Sequence, residues 1–460
     1  MLDSLRIWQQ NCIAQLIETY HYQSDALVLA TPGAGKTIMA SYVAKQLIGD
    51  RKIDYVVCFS PSKVVSHSIR TTFEHVLERP FNGQLGALGV SRTYHSMSNI
   101  GELISNLSMS RVLVIFDEIH HCAGDGESPA NSWGLSLLST IQNLATYTLS
   151  LTGTPWRTDS LPIPLARYSD PNGYIQCDFT YDLLEAIEDN VCRAPYITAI
   201  DTNQVVVRKG HESHTYQSIQ DLLENGDVSY RMILRQPEVI KYMLSLSIQK
   251  LDALRATSKN AGGLVVAASY AHALQIQAIL SGHFGKNATI VSYKQDDSPE
   301  LINRFREDSS EWIISIAMIS EGTDIPRLQV CCNLTDVTTE LYFRQILGRI
   351  LRMTVDQTAI GYMFILAEPD LVGYAERLNQ AVPDSYHYER TDRLIEGIES
   401  ADNPSSNNQS NQDNSQSAFS DLDMENIFES NFDELINHPT LAELSMSSFK
   451  SRIIEFYQLS

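Results

Sequence analysis

The segment Ala30-Thr31-Pro32-Gly33-Ala34-Gly35-Lys36-Thr37 constrains this chain more than any other. It follows a short apolar run, Ala26 to Leu29, which reads as a buried parallel strand. It precedes Ile38 to Ala44, which reads as the start of a helix. Strand, glycine-rich turn and helix together aim successive main-chain amides at polyphosphate, on the positive end of the helix. Gly33 and Gly35 permit backbone angles and close approach that a side chain would block. Thr31, Gly33, Ala34 and Gly35 therefore form the expected cradle. Lys36 is expected at the β- and γ-phosphates, and the Thr37 hydroxyl on Mg²⁺. The implied ligand is a nucleoside triphosphate.

A second element follows at residues 111–121. Val112 to Phe116 is a continuous apolar run, the pattern of a strand covered on both faces. It delivers Asp117-Glu118-Ile119-His120-His121 to the strand's carboxyl end, where open α/β sheets bind ligands. Two adjacent carboxylates can divide the labour there. Asp117 would hold Mg²⁺ through water, and Glu118 would orient and deprotonate the attacking water. His120 alone would read as a satisfied polar residue at a strand end. Within this pentad it reads as a sensor of phosphate state that touches the next motif. His121 has no assignment.

With these residues in place, the chain resembles superfamily 2 helicases of the DEAD/DEAH type, and the resemblance continues in chain order. Leu5-Arg6-Ile7-Trp8-Gln9 is similar to the family's adenine-reading segment, which implies nucleotide contacts for Arg6 and Gln9. Leu151 to Arg157 is similar to the third motif, which implies that Thr152 and Thr154 couple hydrolysis to domain movement. Ile319 to Pro326 is similar to the fifth, with Asp324 on the ribose and Gly322 admitting backbone to the nucleotide. Gln345-Ile346-Leu347-Gly348-Arg349-Ile350-Leu351-Arg352 is similar to the sixth, with Gln345 in a coupling role. Six motifs in order across residues 5–352 are very specific, and their flavour is that of the XPB, UvsW and RadD-like branch. Ile119 stands where Ala is usual, and the third motif is Thr-Gly-Thr rather than Ser-Ala-Thr. Neither departure removes a catalytic group.

Hydrolysis spreads negative charge over the γ-phosphoryl oxygens, which suits the planar, multidentate grip of guanidinium. Arg349 and Arg352 are three residues apart, a spacing that on a helix projects both from one face. On a second domain they would reach the nucleotide only when the cleft closes, as arginine fingers.

A chain of 460 residues is too long for one core. The alternation of strand and helix patterns predicts an α/β fold of two tandem RecA-like domains with parallel sheets, plus an acidic, partly disordered C-terminal tail. The first domain is expected over residues 1–160, with further strands at Tyr55 to Phe59 and Thr146 to Leu151. Residues 161–235 lack a clear pattern and read as a connecting insertion. The second domain is expected over 236–398, opening on a helix at Pro237 and including strands at Gly263 to Ala268 and Trp312 to Ile316. Residues 399–418 are polar and low in complexity, which predicts a disordered linker. Residues 419–460 are expected to form a short acidic, helical element, and there is no Lys or Arg between Ile395 and Phe449. A solvated linker is the plain reading of that tail. The sharper ones are a docking segment for a partner protein, with Phe419, Leu422, Ile427, Phe428 and Phe432 as anchors, or an electrostatic mimic in the nucleic-acid groove.

A net charge of −21 sits awkwardly with a nucleic-acid motor, but the tail supplies about half of it. Such motors grip the backbone largely with amides, hydroxyls and helix N-termini. The groove candidates, each after an expected strand, are Ser60 and Pro61, Thr93 and Tyr94, and Ser269 and Tyr270, for which ordinary turn chemistry is the competing reading. Seven cysteines without a CxxC pair argue against a zinc ribbon, an iron–sulfur cluster or a disulfide scaffold. Reduced thiols in the cytoplasm fit best, and no apolar run approaches membrane-spanning length.

These features together predict an ATP- and Mg²⁺-dependent helicase or translocase, acting on DNA rather than RNA. The alternatives are a duplex translocase in a repair or antiphage complex, an RNA helicase, and a nucleotide-gated binding switch.

Overall fold

The apolar runs that read as strands are strands, and helices separate them so that neighbours lie parallel. The computed structural model describes residues 5–99, 107, 109–121, 141, 145–154, 163, 165–169, 175–209, 211–292, 295, 297–316, 325–353, 359–378 and 443–455.

The first lobe opens with α1 (Ile7–Thr19), β1 (Asp25–Ala30), α2 (Lys36–Gly49), β2 (Tyr55–Ser60), α3 (Lys63–Leu77), β3 (Gly89–Thr93), β4 (Val112–Asp117) and β5 (Tyr147–Thr152). A two-stranded ribbon, β6 (Arg167–Tyr168) with β7 (Ile175–Gln176), precedes β8 (Phe179–Tyr181) and α4 (Leu183–Glu188). The strand order is β3-β2-β4-β5-β1-β8, parallel throughout. Every residue of β4 is buried, as a run without polar alternation requires. Trp8 of α1 stacks on Tyr181 of β8 with ring centroids 4.7 Å apart, which fixes the first helix over the nucleotide side of the sheet.

The second lobe begins at β9 (Ala194–Lys209) and continues through β10 (Glu212–Tyr216), α5 (Ile219–Asn225), α6 (Tyr230–Leu234), α7 (Pro237–Arg255) and β11 (Gly262–Ala267). It goes on with α8 (Tyr270–Phe284), β12 (Ala288–Ser292), α9 (Ser298–Glu307), β13 (Trp312–Ile316), β14 (Leu328–Leu334), α10 (Glu340–Ile350), β15 (Ile360–Leu366) and α11 (Pro369–Glu376). Its sheet runs β10-β9-β15-β14-β11-β13-β12, and a further strand, β16 (Glu443–Glu455), lies along β9.

Two expectations are corrected here. Residues 161–235 are not an insertion between the lobes. β8 extends the first sheet, β9 and β10 belong to the second, and the crossing is the short segment 189–193. The reason is the composition of β9, which pairs with β15 over its first half and with β10 over its second. Its apolar run Ile197 to Ile200 gives way to Asp201-Thr202-Asn203-Gln204, so neither strand signature runs the full length. The second correction concerns the final segment, expected to be helical. Residues 443–455 form an antiparallel strand from Glu443 opposite Arg208 to Glu455 opposite Tyr196. Leu444, Met446 and Phe449 pack on the second core, and Phe449 stacks on Tyr242 of α7 at 4.5 Å between centroids. The expected linker 399–418 and the acidic residues 419–442 lie outside the described residues.

Phe449 therefore contributes packing as well as backbone pairing. Phe449→Ala is expected to lower unfolding free energy by about 1–2 kcal/mol, less than for a fully buried Phe because the ring is only partly covered. Urea unfolding reads this, and an unchanged midpoint would show that β16 does not brace the lobe.

Candidate nucleotide site at the lobe interface

Strand order assembles the site. β5 lies between β1 and β4, with Thr152 opposite Leu29 on one side and Leu151 opposite Asp117 on the other. Three segments distant in sequence thus leave the sheet side by side: the glycine loop, Asp117-Glu118, and Thr152-Gly153-Thr154. The carboxyl ends of parallel strands are where such sites form.

The loop holds the shape its glycines permit. Gly33 has φ +85° and Gly35 φ +97°, both in the left-handed region. Gly35 caps α2, so the helix's free N–H groups face the cradle. Thr31 is tied down through its N–H to the Tyr181 carbonyl at 3.0 Å. From α1, the Gln9 amide donates to the Gly35 carbonyl at 3.0 Å and the Arg6 guanidinium to the Ala34 carbonyl at 2.7 Å. Gln9 also accepts from the Arg6 N–H at 3.0 Å. The expected base-reading residues therefore reach the back of the phosphate loop directly.

Lys36 and Glu118 form an ion pair at 2.9 Å, and the same ammonium donates to the Ala30 carbonyl at 3.1 Å. Glu118 stands at φ +51°, a conformation costing a non-glycine residue on the order of 1 kcal/mol. That bend turns the chain out of β4 and points the carboxylate across to β5. Its second oxygen accepts the Gly153 N–H at 3.0 Å. Burial pushes this carboxyl group's pKa up. Lys36 and His120 beside it, with the hydrogen bonds from Lys36 and Gly153, outweigh burial and hold it down at about 2.

His120 does touch the next motif, with Nδ1 3.0 Å from the Thr152 hydroxyl. That hydroxyl donates to the Thr154 carbonyl at 2.7 Å and accepts the Thr154 N–H at 3.1 Å. The hydroxyl's one proton is committed, so His120 donates through Nδ1. A continuous polar path links Glu118, Gly153, Thr154, Thr152 and His120. The Tyr94 hydroxyl, expected at the nucleic-acid groove, instead donates to the Asp117 carbonyl at 2.8 Å. It thereby ties the end of β3 to the acidic pair.

The second lobe meets this site through α10 and the residues after it. A Cβ on Gly348 would lie 2.6 Å from the Pro32 Cβ, so the helix and the phosphate loop are as close as backbone allows. The Arg352 side chain lies along Gly33, its Cγ 3.0 Å from where a Cβ would stand. Helix α10 ends at Ile350, so the expected placement of Arg349 and Arg352 on one helical face is corrected. Arg352 is extended and bridges Cys192, whose thiol lies 3.8 Å from the Pro32 carbonyl. Gln345 sits one turn before Arg349 on α10. Gly322 and Asp324 lie outside the described residues.

The groove candidates divide. Ser60 is fully buried, its hydroxyl 3.4 Å from both the Ser62 and the Arg92 carbonyl within the first lobe, with one proton to donate to either. Ser269 caps α8, accepting the His272 N–H at 3.2 Å, which is the turn chemistry that competed with the groove reading. Pro61 and Thr93 are half-buried at the ends of β2 and β3, and Tyr270 is exposed. The sequence reading missed Pro32, Gly153, Cys192 and Arg193. Pro32 and Gly153 lie inside the glycine loop and the third motif, whereas no local pattern marks Arg193.

The residues present fit a nucleoside triphosphate. The two left-handed glycines leave a cradle that a Cβ would fill, a buried ammonium stands at its mouth, and Thr37 lies in the first turn of α2 beside it. Two parallel-sheet lobes meeting at a glycine loop, a strand-end Asp-Glu pair and an arginine-bearing helix define a tandem RecA-like core.

Comparison with known proteins agrees. Residues 3–157 match the family model described as type III restriction enzyme, res subunit, and 247–354 match the helicase conserved C-terminal domain. The chain is 30% identical over 436 residues to an uncharacterised protein of Mycobacterium leprae, covering 90% of this chain and 70% of that protein. It is 29% identical to an uncharacterised protein of Mycobacterium tuberculosis, covering 81% of this chain and 63% of that protein. Among solved structures, the type ISP restriction-modification enzyme LlaBIII bound to DNA superposes with a TM-score of 0.53 at 14% identity, covering 83% of this chain and 30% of that one. Saccharomyces cerevisiae Dbp5 bound to RNA gives 0.51 at 12% identity, covering 82% and 88%. At these identities the structures establish fold. The chain belongs to the superfamily 2 helicases.

Two outcomes follow from the geometry. Glu118 has a folded-state pKa below its ordinary 4.5, so its contribution to stability is present above pH 4.5 and lost as pH falls towards 2. The stability difference between wild type and Glu118→Gln, from urea unfolding, should be flat from pH 5 to 8 and shrink below about 4.5. Gly348→Ala should force the lobes apart by its clash with Pro32. It should cut nucleic-acid-stimulated ATPase at least about tenfold, near 1.4 kcal/mol in barrier, while nucleotide binding by the first lobe persists.

Proposed function

We propose that this protein is an ATP- and Mg²⁺-dependent DNA translocase that unwinds or remodels its substrate. The observation carrying the proposal is the Lys36–Glu118 pair lying under the second lobe's Gly348 and Arg352, at the junction of both lobes. In the closed cycle Lys36 exchanges Glu118 for the phosphates. Released from that partner, Glu118 becomes a stronger base and accepts the proton of the attacking water. Thr37 and Asp117 would hold Mg²⁺, which neutralises charge on the phosphoryl oxygens. Arg349 and Arg352 supply the guanidinium charge from the second lobe, and the His120–Thr152 bond passes the state of the site towards the nucleic-acid side. DNA is favoured because the first lobe matches a restriction-enzyme subunit model and LlaBIII was solved on DNA. RNA is the second reading, favoured by the likeness to RNA-bound Dbp5. A place in a repair or antiphage complex, action in the cytoplasm and a protein partner for the acidic tail belong to the same proposal.

Steady-state ATPase with single-stranded, duplex and forked DNA and with RNA, alongside strand displacement, tests it. Lys36→Ala should abolish ATP binding. Glu118→Gln should bind ATP yet turn over at least a hundredfold more slowly, and Arg352→Ala should lose about tenfold or more of the stimulated rate. Stimulation by RNA alone would overturn the assignment to DNA. Equal turnover of wild type and Glu118→Gln would remove the base.

A further inference from the structure

Arg193 is among the largest fully buried side chains of the protein, with no solvent exposure. It lies in the crossing between the lobes, one residue after Cys192 and immediately before β9. One terminal nitrogen of its guanidinium donates to the Leu328 carbonyl at 2.8 Å and to the Ile350 carbonyl at 2.9 Å. The other donates to the Pro326 carbonyl at 3.3 Å, and the Arg193 N–H donates to the Leu351 carbonyl at 2.7 Å.

These acceptors are not scattered. Pro326 closes the fifth motif and Leu328 opens β14 behind it. Ile350 is the last residue of α10, and Leu351 directly precedes Arg352. The last carbonyls of a helix have no partner within it and carry its negative end, which a cation satisfies. A planar fork of donors can hold three carbonyls in fixed directions, which a lysine ammonium does not do. Burial costs the cation, lowering its pKa to about 10, yet it stays charged at neutral pH. A cation kept in so dry a place is poor evidence for stability alone, because apolar packing generally serves that end as well or better. Its neighbour's thiol touches the Pro32 carbonyl of the phosphate loop. The Cys192–Arg193 step therefore joins three parts of the nucleotide site.

We propose that Arg193 is a positioning residue, which locks the end of the fifth motif to the end of α10 and so aims Arg352 at the nucleotide. The inference rests on the ATPase reading above. Arg193 itself touches no substrate and acts through the backbone that carries Arg352.

The test uses the full chain with Arg193→Lys and Arg193→Gln. Each variant is compared with wild type for thermal unfolding, binding of a fluorescent ATP analogue, and the kcat and KM of nucleic-acid-stimulated ATPase. Both are then repeated in an Arg352→Ala background. Positioning predicts that Arg193→Lys folds, binds analogue within about twofold of wild type and keeps KM, while kcat falls at least tenfold. It also predicts no further fall when Arg193→Lys is added to Arg352→Ala, since the aim of an absent side chain cannot matter. Should Arg193→Gln fail to fold, Arg193→Lys carries the test. If Arg193→Lys keeps its kcat, or multiplies the defect of Arg352→Ala, the inference is overturned. Failure of both variants to fold also overturns it, making Arg193 a structural brace. A wild-type protein without nucleic-acid-stimulated ATPase would instead remove the underlying reading, and that result precedes any variant.

Discussion

Pro32 and Gly348 meet across the lobe interface with no room for a methyl group between them. This contact sets how closely the second lobe approaches the site. It places α10 on the phosphate loop, lays Arg352 along Gly33, and brings Cys192 to the Pro32 carbonyl. One buried apolar cluster runs across it, from Trp8 and Leu16 of α1 through Ala34 and Met39 to Leu347 and Ile350 of α10. The lobes therefore touch along a seam that also holds a cleft, lined by Leu29, Thr31, Pro32 and Tyr181 on one side and by Leu347 and Leu351 on the other.

Electrostatics make the closed arrangement responsive. Lys36 and Glu118 satisfy each other in the absence of another partner, and Glu118 is further held by Gly153 of the neighbouring strand end. On the proposed reading, phosphate would compete for Lys36, and whatever took the lysine would alter the path through Gly153, Thr154, Thr152 and His120. By linkage, any ligand that favours the altered path must strengthen phosphate binding by the same factor. On the proposed reading, coupling of nucleotide and nucleic acid would need no remote device beyond these three adjacent strand ends.

Much of this was legible in the sequence, for a physical reason. β1, β2, β4 and β11 are covered on both faces and write nearly continuous apolar runs, whereas β5 and β13 are buried although Thr148, Ser150 and Ser315 interrupt theirs. The glycine loop and Asp117-Glu118 write their chemistry locally. The expected contact of His120 with the third motif follows from strand order, and the structure has it at 3.0 Å. What was hidden depends on partners far along the chain. β9 changes neighbour halfway, so its pattern changes too, and it passed for a connection. β16 carries Leu444, Met446 and Phe449 at mixed spacing beside polar residues, which resembles a frayed helix as much as a strand. Arg193 is one arginine in an ordinary flank, and its importance lies wholly in carbonyls more than a hundred residues away. Ser60 and Ser269 follow strands as groove residues do, but their hydroxyls serve the local backbone.

The pairing of β16 with β9 bears on how the second lobe is acquired as well as on how it is held. Each rung of that ladder, from Arg208 opposite Glu443 to Tyr196 opposite Glu455, closes a loop of well over two hundred residues. Contacts of such sequence separation form late, because loop-closure entropy is spent before they give anything back. Until then the edge of β9 offers a dozen residues of unpaired backbone, the template that draws other chains into aggregates. The chain between Ile395 and Phe449 carries only acidic charge apart from its histidine. Chains in that unfinished state repel one another, so the segment that delays closure also guards the open edge while it waits.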